Sequence, residues 1–309
     1  MISRKLVTFA LLLAALPTTA LAQEVDLKFG GQVRPRFEFR EPLPLPDGGA
    51  ETFTSMRTRL DLRAGLDDNL AAFIQIQDVR LWGSEGNTLG DFSADGLDIH
   101  QAYIDLGKAE NGGFMGRFGR QEVNFGGQRL VGAVNWAQQA RSFDGIRVGS
   151  GGSVGNVDVL AAKLQDNQAG GVEQEADLVA GYGTWGISET QDLDLYWIYD
   201  HLDDDEAAPG EQQTNRHTLG ARWVGNASRF TYRAEGSYQT GTFVGTDISA
   251  FMFGGRLAYG FGGKAGVTLW YDYLSGDGDL GDDTLKVFDT LFATNHKFYG
   301  FADLFLNIP

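Results

Sequence analysis

From Asp26 to Arg40 the chain alternates with hardly a break, and the face that is not apolar is the charged one. Leu27, Phe29, Val33, Phe37 and Phe39 fall on one side. Asp26, Lys28, Gln32, Arg34, Arg36, Glu38 and Arg40 fall on the other. A period of two demands an extended strand, because only there do successive side chains point opposite ways. The stretch spans about 50 Å at strand rise, longer than the strands of soluble sheets usually run. The pattern returns with Met56, Leu60, Leu62 and Leu66 against Arg57, Arg59, Asp61 and Arg63. It returns again with Phe230, Tyr232, Ala234 and Tyr238 against Arg229, Thr231, Arg233, Glu235, Ser237 and Gln239. Phe251, Phe253, Leu257 and Tyr259 oppose a face of small residues carrying Arg256. Repeated segments of about ten alternating residues are the signature of a transmembrane β-barrel. A soluble sandwich alternates too, so the connections must decide.

The connections alternate in length. Those at 41–51, 79–96, 122–139, 165–176, 201–214 and 275–295 are long, with 242–247 a weak member of the set. Those at 67–69, 107–113, 150–156, 186–191, 225–227 and 260–263 are short. A barrel with long extracellular loops and short periplasmic turns predicts this rhythm; a sandwich has no reason for it. The expected fold is all-β: a transmembrane antiparallel up-and-down barrel of about 14 strands.

Export is expected as well. Arg4 and Lys5 precede the apolar run Leu6–Leu16, Pro17 breaks it, and Ala20-Leu21-Ala22 offers a small-x-small cleavage site. Residues 1–22 therefore read as a signal peptide, and 23–309 as the barrel domain. No later run is long and apolar enough for a membrane helix. With no cysteine among 309 residues, disulfide scaffolds and thiol catalysis are excluded. The formal charge of -16 speaks against sequence-independent nucleic-acid binding, which needs clustered cations. An exported adhesin or lectin-like protein, with the aromatic faces as a soluble core, is the remaining non-membrane class.

Several runs resemble the alginate-export family of outer-membrane porins: Gln75–Gly83, Gly116–Gly132, Asn135 to Val148, Tyr271–Asp279 and Leu291–Phe305. The most specific block is 116–148. The resemblance implies a large monomeric barrel of about 18 strands in the outer membrane of a Gram-negative bacterium. It further implies outward passage of anionic polysaccharide through an arginine-lined pore. Bacterial barrels usually finish on a strand with a terminal aromatic residue, whereas this chain stops at Asn307-Ile308-Pro309. Two expectations follow: a C-terminally truncated barrel, of about 16–18 strands when complete, or a native one of about 14.

The polar face of the first two strands sets Lys28, Arg34, Arg36, Arg40, Arg57, Arg59 and Arg63 against only Asp26, Glu38 and Asp61. Arg129, Arg147, Arg216, Arg222, Arg233 and Arg256 extend this basic stripe around the inferred lumen. Arginine suits carboxylate solutes because its planar fork makes paired hydrogen bonds and keeps its charge. The other reading is that these arginines pair with lumenal Asp and Glu and brace the wall. A general diffusion porin without a polysaccharide role is the alternative function. The 122–139 segment is apolar for an exposed loop, so it either folds into the lumen or packs over the mouth.

The acid surplus lies in 203–206 and at Asp277, Asp279, Asp282 and Asp283, placed outside. Hard cations take carboxylate oxygens, and loop calcium or divalent bridging to lipopolysaccharide is the chemistry to weigh. Neither stretch has EF-hand spacing, so no cofactor is expected. No enzyme is expected either. His100, His201, His217 and His296 show no metal-ligand spacing, and no Ser–His pair is brought together by the sequence itself. The G-x-G-x-x-G at 181–186 has no helix pattern after it. His296 is expected to start a strand.

Overall fold

The computed structural model describes residues 25–40, 50–83, 97–153, 155–167, 174–204, 213–279 and 281–300. The signal segment 1–22, half of the 203–206 acid run and the chain end lie outside them. Thirteen long strands follow one another, each hydrogen-bonded antiparallel to the next. They are β1 (Asp26–Arg40), β2 (Glu51–Gly65), β3 (Leu70–Leu81), β4 (Leu97–Gly107) and β5 (Phe114–Gln121). Then come β6 (Phe143–Gly151), β7 (Gly155–Asn167), β8 (Gln174–Ser188), β9 (Gln191–Asp204) and β10 (Thr214–Ala227). The last of them are β11 (Phe230–Phe243), β12 (Thr246–Gly262) and β13 (Ala265–Leu274). The fourteenth, β14 (Thr284–Leu285), is a short parallel addition to β12. Among the described residues β1 pairs only with β2 and β13 only with β12, so the sheet is not closed.

Burial is inverted relative to a water-soluble protein. Arg57 and Arg59 are 3% and 7% exposed, whereas Leu60 between β2's neighbours is 59% and Phe29 is 79% exposed. Leu27, Val33, Phe37 and Phe253 are exposed in the same way. The alternation dictates this, since a slip of one residue would turn each arginine to lipid at about 2–4 kcal/mol near the midplane. The register holds without irregularity through β1–β2, where Arg34 faces Arg57 and Gln32 faces Arg59.

Two expectations need correction. The connection at 242–247 is a tight turn at Val244 and Gly245, with positive φ of 52° and 79°. The chain at His296 forms a one-turn helix, α1 (His296–Tyr299), instead of a strand. Its residues do not alternate against a neighbouring strand; buried His296 packs at a tilt against Trp136, with ring centroids 5.2 Å apart.

Candidate functional site

The 122–142 connection runs through the lumen, which resolves the open choice about that segment. Val123, Phe125, Leu130 and Val131 pack against inward residues of β7–β9 and β12, among them Leu160, Leu178, Ile198 and Met252. Phe125 stacks on Tyr182 at 5.1 Å, and Tyr182 on Tyr196 at 5.5 Å, all three rings nearly parallel. The turn that delivers Phe125 depends on Gly126. Its φ is +49°, and a Cβ there would stand 2.1 Å from the Tyr182 hydroxyl oxygen. The 284–300 stretch lies alongside, with Phe292 N donating to Leu130 O and Gly132 N to Phe292 O.

On the opposite side the segment meets arginines. Arg34 donates to the carbonyls of Asn135 (2.8 Å), Trp136 (3.1 Å) and Ala137 (3.1 Å), and to the Gln138 side chain. Arg36 donates to Trp136 O at 2.6 Å. Arg57 reaches the carbonyls of Asn135, Ala137 and Gln138 while Gln32 accepts from its other edge. Four consecutive carbonyls are thus turned onto three guanidiniums, and neither Arg34 nor Arg57 has an ion pair among the described residues. The backbone there is strained. Val134 has φ of 50°, with Gln128 and Ala140 also left-handed. A β-branched residue in that region is an outlier costing about 1–3 kcal/mol, sustained only when its surroundings hold it.

A second anchor is Glu122. It meets Arg59 at 3.2 Å, His100 Nε2 at 2.7 Å and the Asn135 amide at 2.8 Å. Burial pushes its carboxyl up, but the hydrogen bonds from His100 and Asn135 and the Arg59 charge outweigh that and hold it below the usual carboxylate range. The fold also sets Ser142 Oγ 3.1 Å from His100 Nδ1, a serine–histidine–glutamate line invisible in the sequence. The same hydroxyl donates to His100 O at 2.5 Å. The line ties β4 to both ends of the lumenal segment.

The remaining stripe residues are mostly paired. Arg63 and Arg117 share Asp105, Arg147 holds Asp158 at 2.8 Å and Arg222 holds Asp194 at 2.6 Å. Arg216 lies between Asp200 and Asp289. Arg129, 1% exposed, is enclosed by Glu235 (3.2 Å) and Asp272 (2.7 Å). Lys28 pairs with Asp26 and Arg40 with Glu38 near the solvent. Arg233 and Arg256 lie on aromatic faces. Missing from the sequence reading were Gln138, Glu122, Trp270 and Phe298. No local spacing signals them, since Arg34 and Gln138 are 104 positions apart.

In the 277–286 turn the carboxylates cap backbone N–H groups. Asp277 accepts from Asp279 N and Lys286 N, Asp279 from Gly281 N, and Asp282 from Thr284 N. No group of three acidic or histidine side chains among the described residues is placed to hold a metal ion.

An up-and-down antiparallel wall, apolar outside and charged within, defines an outer-membrane β-barrel. The alginate export family matches residues 25–305, and the chain belongs to that family. Its place is the Gram-negative outer membrane and its role that of a porin-like export protein; family and fold are those of transport proteins, not enzymes. Similar solved structures include OmpT of Vibrio cholerae in its trimer form, at 13% identity and TM-score 0.39, covering 86% of this chain and 94% of that one. Salmonella typhi OmpF in complex with daunomycin is similar at 11% identity and TM-score 0.37, covering 89% and 94%. No curated protein matches the chain.

Proposed function

We propose that the chain passes anionic solutes, anionic polysaccharide among them, along the arginine face of its lumen, as a single-chain barrel without a cofactor. The inward-folded 122–142 segment serves as its internal constriction. One observation carries this reading: among the described residues Arg34 and Arg57 meet no carboxylate, only amide oxygens, namely the Gln138 and Gln32 side chains and the backbone carbonyls of a strained segment. A carboxylate competes well for such donors, because charged hydrogen bonds are roughly twice as strong as neutral ones. Several weak sites in a row also let a polyanion leave as readily as it enters.

The paired arginines at Asp105, Asp158 and Asp194 favour the second reading, a general diffusion porin whose wall charges are braced. Reversal potentials in a salt gradient, with block by uronate oligomers and by neutral sugars, separate the two. The polysaccharide reading expects anion preference and uronate-selective block. A cation preference, or equal block by neutral sugars of the same length, would overturn it.

A further inference from the structure

The 284–300 stretch is more than a neighbour of the 122–142 segment. The two pair through their backbones, with Val131 and Phe292 bridged in parallel. Phe292 N donates to Leu130 O at 2.8 Å, Gly132 N to Phe292 O at 2.9 Å and Thr294 N to Gln128 O at 2.9 Å. The Thr294 hydroxyl donates to the Gln128 side-chain oxygen, also at 2.9 Å. Arg141 closes the joint. Its guanidinium donates to the carbonyls of Gly132, Phe292 and Ala293 and meets no carboxylate among the described residues. Gly132 lets the two segments come this close, since a Cβ there would stand 2.4 Å from the Thr294 hydroxyl oxygen. Leu130, Val131, Ala293 and Thr294 are all buried. Pulling the segments apart would leave buried donors and acceptors unpaired, the costly way to lose a hydrogen bond.

Each segment is also fastened to the wall, at a different place. The 122–142 segment hangs on Arg34, Arg36 and Arg57 of β1 and β2 through its carbonyls at 135–138. Arg129 ties it to Glu235 of β11 and Asp272 of β13 as well. The 284–300 segment is held by Asp289, whose carboxylate meets Arg216 of β10 at 2.7 Å. Gln239 of β11 grips the backbone of the same residue in both directions, accepting from Asp289 N at 2.9 Å and donating to Asp289 O at 2.8 Å. Water reaches this fastening, where the Asp289 side chain is 48% exposed, but not the joint, where Val131 and Thr294 are 1% and 2% exposed. We propose that 122–142 and 284–300 form a single bar in the lumen, riveted by Arg141, with Asp289 as its fastening on β10 and β11. The bar then comes free at the wall and does not part within itself. The inference rests on the reading that the 122–142 segment constricts the lumen, and adds which parts of the constriction move together.

The test is amide hydrogen exchange on the full chain in nanodiscs, read amide by amide by NMR. In Arg34→Gln with Arg57→Gln the Ala137 amide should exchange at least roughly tenfold faster, the equivalent of one charged hydrogen bond lost. The Gly132, Phe292 and Thr294 amides should keep the slow exchange of the parent. Asp289→Ala works from the other wall and keeps the test decisive if the arginine variant fails to fold. It should speed up the Leu291 amide, which now donates to Asp289 Oδ1 at 2.7 Å, and leave the same three slow. Arg141→Gln should do the reverse, speeding up those three and leaving Ala137 at the parent rate. Acceleration of the three together with Ala137 in the arginine variant, or with Leu291 in Asp289→Ala, would overturn the single bar. Three slow amides in Arg141→Gln would overturn the rivet. Because the chain has no cysteine, Gln128→Cys with Thr294→Cys adds one disulfide across the joint. That lock should leave the conductance of the arginine variant as it is with or without reductant; a fall to the parent value that reductant reverses would show the segments parting. If exchange shows the bar whole but loosened from β1 and β2 while conductance stays at the parent value, it is the constriction reading that fails.

Discussion

Three arginine pairs stand directly opposite one another in the described ladders, and each is compensated differently. Arg117 and Arg147 each have a carboxylate, Asp105 and Asp158. Arg34 and Arg57 have backbone carbonyls of the lumenal segment. Arg233 and Arg256 have indole and phenyl faces. A carboxylate neutralises its arginine for good, so the first pair braces the wall. Carbonyl dipoles and ring quadrupoles attract a cation without cancelling its charge. The two pairs so held have no carboxylate partner among the described residues, and the proposed passage of anions rests on that difference.

The largest expected effect comes from breaking the carbonyl-held pair. Arg34→Gln with Arg57→Gln removes the donors from consecutive carbonyls at 135–138, each charged hydrogen bond being worth about 1.5–3 kcal/mol. The left-handed Val134 then favours departure of the segment. Single-channel conductance should rise and anion preference should fall. If conductance and reversal potential both stay at the parent values, the segment is held by its apolar side alone.

Glu122→Gln comes next. It leaves Arg59 buried with its ion pair broken, a loss of about 3 kcal/mol, read as a lower midpoint of heat-modifiable migration. Protonation should act in the same direction. The folded-state carboxyl of Glu122 is depressed, so its contribution is complete above the ordinary glutamate value of about 4.3 and is lost as pH falls through the lower folded value. The lumenal segment should therefore stay in place through mildly acid solution and loosen only below the usual carboxylate range. Conductance recorded against pH checks this. Opening that begins near neutral pH would assign the control to another group.

Gly126→Ala should have a smaller effect, about 1–3 kcal/mol, from a side chain forced to positive φ against the Tyr182 hydroxyl. It should disturb the Phe125–Tyr182–Tyr196 stack, seen in near-ultraviolet circular dichroism, and leave the arginine side of the segment intact. A simultaneous loss of anion preference would mean that the two sides of the segment move as one.

The wall was readable in the sequence because strand parity is a local property. Arg34 must face away from Val33 and Phe37 whatever the rest of the chain does. The lumen was not readable in the same way. Whether Arg59 meets a solute or Glu122 depends on a segment that returns 63 positions later, and no period carries that information. Arg129, in the 122–139 segment, was counted with the anion-facing stripe, although the fold encloses it between Glu235 and Asp272. Length misled at 242–247, where Gly245 allows a turn tighter than the neighbouring connections suggest. His296 misled because strand was the default for a chain otherwise built of strands.

The smallest effect should come from the acids that end β9, expected in a loop but with Asp203 and Asp204 in the strand, and its smallness sharpens the comparison between wall charge and strand-end charge. Neutralising Asp203, Asp204 and Asp205 to asparagine removes more formal charge than the Arg34 and Arg57 double change does. Fixed charge acts on a permeating ion only within about a Debye length, about 8 Å at physiological ionic strength. The lumenal arginines stand within that reach of any ion that passes the 135–138 carbonyls, and acids at the strand end and beyond it are screened by the intervening solution. Reversal potential at physiological salt should therefore be unchanged in the triple asparagine variant. Lowering the salt tenfold lengthens the Debye length to roughly 25–30 Å, and a modest gain in anion preference should then emerge. A shift at physiological salt as large as that of the arginine double variant would place the selectivity of this barrel at its outer mouth instead of along its wall.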